Sequence, residues 1–94
     1  MLYLITYDLR DPGRDYTALG EAIKALSGDW QKPLENVWFV QIQDSSMSAD
    51  AIYKELSEHL NKEKDRILII EISKSGDKQG WLSRNFWKWL KEAR

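Results

Sequence analysis

The chain has 94 residues, a formal net charge of −1, 31% charged and 43% hydrophobic residues, and no cysteine. Those figures suit one small domain, spanning residues 1–94, and exclude disulfides and thiolate-held zinc or iron–sulfur centres. They also exclude a molecule-wide cationic field. Residues 1–73 carry eight Lys/Arg against thirteen Asp/Glu (−5), whereas residues 74–94 carry six against two (+4). No apolar run approaches the roughly 20 residues that span a bilayer. No basic segment followed by a long apolar one opens the chain, so the expectation is a cytoplasmic protein without a signal peptide.

Residues 2–9 are rich in Leu, Ile, Tyr and Thr and predict a strand. Leu2, Leu4, Thr6 and Asp8 point one way, and Tyr3, Ile5, Tyr7 and Leu9 the other. Both sides are mostly apolar, which predicts a central strand covered on two faces. Pro12-Gly13 marks a turn, and Asp15 is placed to accept hydrogen bonds from the first N–H groups of the following helix. Tyr16, Leu19, Ala22, Ile23 and Leu26 recur at helical spacing, and Gly28 stops the pattern.

"WQKPLE" predicts a short strand hairpinned to "VWFVQI". Pro33 cannot donate to a sheet ladder, so the first piece belongs at an edge. Ser48 is an N-cap, after which Ala49, Ile52, Tyr53, Leu56 and Leu60 share one helical face. His59, the lone histidine, falls late in this helix and reads as a solvent-facing side chain favoured by the helix dipole. "ILIIEI", residues 67–72, predicts another central strand. The closing "WLSRNFWKWLKEAR" predicts an amphipathic helix. Its Trp81, Phe86, Trp87 and Trp89 are candidates for packing within the subunit or across a dimer, and the cations lie around the other side. Aromatics interleaved with cations also fit a nucleic-acid surface.

The order strand, helix, strand, strand, helix, strand is the α+β, ferredoxin-like βαββαβ arrangement, here over residues 1–73. A loop and an aromatic, basic C-terminal helix follow over 74–94. In this arrangement two helices cover one face of an antiparallel sheet and leave the other open.

"YLITYDLRDPGRDY", followed by "LENVWFVQ", "ILIIEI" and the closing "WL" segment, resembles the CRISPR-associated spacer-acquisition family Cas-two, in its divergent SinR-like branch. The resemblance implies a ferredoxin-like homodimer that associates with nucleic acid in antiviral defence. One activity it implies is a Mg²⁺- or Mn²⁺-dependent endonuclease on RNA or double-stranded DNA. It places the metal-binding and catalytic carboxylate at Asp8, where twofold symmetry would bring two copies near each other. On the residues alone, the bland alternative for Asp8 is a loop-entry aspartate accepting local N–H groups. Arg10 and Arg14 flank the turn, and they either steady a phosphate or form surface ion pairs. The alternatives are a non-catalytic dimeric adaptor, with a protein partner at the C-terminal helix, and a VapD-like toxin ribonuclease. A Gly-rich phosphate loop, a nucleophile elbow and paired histidines are all missing from the sequence.

Overall fold

The structure, a computed structural model, describes residues 1–93; Arg94, the last residue of the expected helix, lies outside the described residues. The elements are β1 (Leu2–Asp8), α1 (Thr17–Ala25), β2 (Trp30–Leu34), β3 (Val37–Gln41), α2 (Ala49–Ser57), β4 (Arg66–Ile72) and α3 (Arg84–Glu92). The four strands form one antiparallel sheet in the order β2-β3-β1-β4. This is the expected α+β, ferredoxin-like layout.

The alternation along β1 sets the two faces. Tyr3 and Ile5 look toward α1 and α2 and join Leu19, Ile23, Trp38, Val40, Ile42, Ile52, Leu56 and Leu60 in the main core. Leu2 looks the other way and meets Phe86 and Leu90 of α3 in a smaller cluster. The tail helix thus covers one end of the face that the two-helix arrangement leaves open. Beyond it, Leu68 is 54% and Ile70 47% exposed, and Leu34 on β2 is 52% exposed.

The helix signals act largely where the sequence puts them. Ser48 accepts from the Ala51 N–H, and Ser83 accepts from the Phe86 N–H. Asp15 accepts from both the N–H and the hydroxyl of Thr17, one position ahead of the expected cap geometry. Those two bonds, the hydroxyl's first, hold its carboxyl below the ordinary value. Gly28 adopts φ 75°, the left-handed conformation that ends α1 without a Cβ penalty.

Four expectations need correction. "ILIIEI" is not central, because β4 pairs only with β1 and forms the edge opposite β2. It is apolar on both faces because Ile67 and Ile69 pack under the helices while Leu68 and Ile70 face the open side. Tyr53 is 43% exposed and not on the buried stripe, since α2 needs only Ile52 and Leu56 to meet the core. His59 lies past the end of α2, half-buried in a turn where its N–H donates to the Leu56 carbonyl. Trp81 and Leu82 precede α3, because Ser83 caps the helix after them. Pro33, by contrast, lies on the edge strand as expected, within the stretch where the β2–β3 register shifts.

Candidate functional site

Asp8 ends β1 on the open-face side, directly across from Arg66 on β4. Its Oδ2 accepts from Arg10 Nε at 2.7 Å, with both side chains more than half exposed. A pair so exposed contributes at most about 1 kcal/mol, so the contact orients the carboxylate more than it stabilises the fold. Asp8, Arg66, Thr6, Tyr7, Asn36 and Leu68 line a shallow depression of about 320 Å³. Asn36 ties the β2–β3 turn to this end of β1. Its carbonyl accepts from Thr6 Oγ1 at 2.9 Å and from the Tyr7 N–H at 3.4 Å, and its side-chain amide donates to the Tyr7 carbonyl.

The turn after Asp8 is held from elsewhere. Asp65, just before β4, is 7% exposed. Its carboxylate accepts from the Arg10 N–H (2.8 Å), the Asn61 N–H (2.8 Å) and the Tyr16 hydroxyl (2.7 Å). Burial pushes the Asp65 carboxyl upward. The bonds from Arg10, Tyr16 and Asn61, with the charge of Arg14, outweigh it and leave the group below its ordinary value. Asp11 braces the same turn. It accepts from the Asn61 side-chain amide at 3.0 Å, its carbonyl takes the Arg14 N–H, and Lys64 lies 4.0 Å from its carboxylate.

The candidate residues therefore divide. Arg10 meets Asp8, whereas the charge of Arg14 acts on Asp65. Sequence reasoning passed over Asp65, Arg66 and Asn36. Asp65 lay inside a run of charges that reads as a polar connector, and its partners at Arg10 and Tyr16 are distant in sequence. Tyr7 and Tyr16 are half-buried, and Tyr7's hydroxyl accepts from Trp38 Nε1 at 2.9 Å.

A divalent cation such as Mg²⁺ needs several oxygen ligands. The chain brings the single carboxylate of Asp8 to this spot, and no group of three or more His, Cys, Asp or Glu that could hold a metal occurs among the described residues. One chain therefore does not complete such a site.

The tail aromatics separate into two kinds. Phe86 is 2% exposed and packs edge-on to Phe39 with ring centroids 4.9 Å apart. Trp87 and Trp89 are half-buried against it, and Trp89 Nε1 donates to Asp29 Oδ1 at 2.7 Å. Trp81 is 98% exposed.

The fold resembles that of a solved structure, Cas2 of Streptococcus pyogenes. The superposition has a TM-score of 0.57 and 17% identity, and it covers 85% of this chain and 100% of the other. At that identity the likeness concerns the fold. No family model matches the sequence, and no curated protein matches it. No helix among the described residues is long and apolar enough to cross a membrane.

Proposed function

We propose that the chain is a divergent, SinR-like relative of the Cas-two proteins, working as a homodimer on RNA or double-stranded DNA. In this reading Asp8 of each protomer contributes to one shared Mg²⁺ or Mn²⁺ site beside a phosphodiester. The observation that carries it is the position of Asp8. It stands at the exposed end of the central strand, on the face where Leu34, Leu68 and Ile70 remain uncovered. A second copy seated on that face removes this apolar surface from water and supplies the carboxylate that one chain lacks.

The chemistry such an ion supplies is water activation and stabilisation of charge on a phosphate oxygen. The protein's own part is positioning. Arg10 exchanges its contact with Asp8 for a phosphate oxygen, Arg66 faces the same depression, and Arg14 adds positive charge at the turn. Asp65 holds the backbone of Arg10 so that these side chains start from a fixed place.

The test is incubation of labelled RNA and duplex DNA with the protein in Mg²⁺, in Mn²⁺ and in chelator. Cutting should require the metal and fall at least a hundredfold in Asp8→Ala, in line with removal of a group that acts in the transition state. Cutting that survives chelator, or is unchanged in Asp8→Ala, overturns the metal mechanism. One observation favours a second reading, the non-catalytic adaptor: the Asp8 carboxylate already has a cationic partner in Arg10. That reading expects salt-dependent retention on nucleic acid with no cutting under any condition.

A further inference from the structure

Tryptophan is among the residues most buried on average, yet Trp81 leaves 98% of its surface in water. It sits immediately ahead of α3, whose Phe86 and Leu90 are buried against the sheet. At 100° per residue, Arg84, Lys88 and Lys91 fall within about 60° of one another on the side opposite Phe86 and Leu90. All three are exposed. The helix rise of about 1.5 Å per residue strings them along roughly 10 Å, and Trp81 precedes Arg84 by three residues in the chain. Glu92 is the one carboxylate of α3, and it stands on the flank of this ridge.

Trp81 is not spare core material. The neighbouring Trp87 is where the loop closes down, since a Cβ on Gly80 would lie 3.6 Å from its ring. The fold thus covers Trp87 and Phe86 and leaves Trp81 clear. The charge division sharpens this. Residues 74–94 carry +4 against −5 for residues 1–73, so the tail is the most cationic stretch of the chain and attracts a polyanion.

We propose that this ridge binds single-stranded nucleic acid, with Trp81 stacking on a base and Arg84, Lys88 and Lys91 contacting consecutive phosphates. A stacked base needs only one open ring face, which Trp81 offers. The exposed cations that follow the ring in the chain match the phosphates flanking a stacked base, and this charge match favours a nucleic-acid strand over an apolar protein pocket. A duplex keeps its bases stacked on one another, so it offers phosphates but no face to Trp81. RNA and DNA single strands share the recognised chemistry. This site lies apart from Asp8 and does not depend on cutting there.

The experiment is fluorescence anisotropy with labelled twelve-nucleotide oligo-dT and oligo-U, and with a twelve-base-pair duplex, in buffer containing chelator. Cutting at Asp8 then cannot enter the measurement. Binding of either single strand, at least tenfold tighter than the duplex, is the expected result. Trp81→Ala should weaken it about tenfold, consistent with loss of one stacked base. Because Trp81 is 98% exposed, this variant keeps its fold. With three phosphate contacts, log K should fall with log salt at a slope of about −2, approaching zero when Arg84, Lys88 and Lys91 are all changed to Gln. Equal binding of duplex, unchanged affinity in Trp81→Ala, or equal competition by polyglutamate, which carries charge but no bases, would each overturn the proposal.

Discussion

The two faces of the sheet are built from the same strands, and they are finished differently. On one, Ile5, Val40, Ile23, Ile52 and Leu56 have lost all their exposure beneath α1 and α2. On the other, Leu2, Phe86 and Leu90 are buried under α3 at one end, while Leu68 and Ile70 at the other are about half exposed. The alternation of β1 does not distinguish them, because it places apolar residues on both sides. What distinguishes them is how much helix the chain has to lay on each. The first face is closed by the chain's own helices, and the second keeps exposed apolar surface at Leu68 and Ile70.

The largest effects should therefore come from the finished face. Ile52→Ala deletes fully buried methyl groups between α2 and the sheet and should cost about 4 kcal/mol. Phe86→Ala empties the smaller cluster and should cost about 3 kcal/mol, since fewer buried neighbours surround it. Urea denaturation also shows whether the faces melt together. If α3 is one cooperative unit with the sheet, Phe86→Ala moves the midpoint and leaves the slope unchanged. A reduced slope would show that α3 detaches first, which would deepen the contrast between the faces.

A middle-sized effect belongs to the turn that joins them. Asp65→Ala strips acceptors from the Arg10 and Asn61 N–H groups and from the Tyr16 hydroxyl. Leaving such donors unsatisfied should cost about 2 kcal/mol at neutral pH. The pH dependence follows from the direction of the shift. Asp65 is depressed in the folded protein, so its contribution is fully present above the ordinary value of 3.8 and is lost as pH falls through the lower folded value. Acid denaturation of the wild type and of Asp65→Ala should therefore converge below pH 3.8, with the gap widest near neutrality. A gap independent of pH would mean that Asp65 acts through packing alone.

How much of this could be read from the chain follows the range of each interaction. Strand alternation at Leu2–Asp8, the Pro33 edge signal and the Ser48 cap are local, and they were legible. The edge position of β4 was not, because an apolar run on both faces reads the same whether a strand has two neighbours or one neighbour and an uncovered face. Asp65 was hidden for a different reason. Tyr16, 49 positions away, and Arg10, 55 away, become its partners only once β1 and β4 are adjacent. Asp8 was found through a family resemblance, and its pairing with Arg10 is a short-range contact that the spacing allowed. The separation of Trp81 from Phe86 depended on where α3 begins. Ser83 carried that signal, but it lay inside a run whose aromatics drew the helix boundary too early.

The smallest effect on stability should be the most informative about the open face. Ile70 is 47% exposed, so Ile70→Lys removes little that the single protomer buries and should change its stability by no more than about 0.5 kcal/mol. A second copy on this face would feel the change strongly. A charge would replace apolar surface, and twofold symmetry would introduce it twice in one interface. Sedimentation equilibrium should then show wild type as a dimer and Ile70→Lys as a monomer at the same concentration, with matching thermal midpoints once the wild type is diluted to monomer. A wild type that is monomeric throughout would leave Leu68 and Ile70 as ordinary exposed residues and would remove the second Asp8 from the proposed site. A dimer untouched by Ile70→Lys would put the interface elsewhere and leave the two faces unequal for a reason other than self-association.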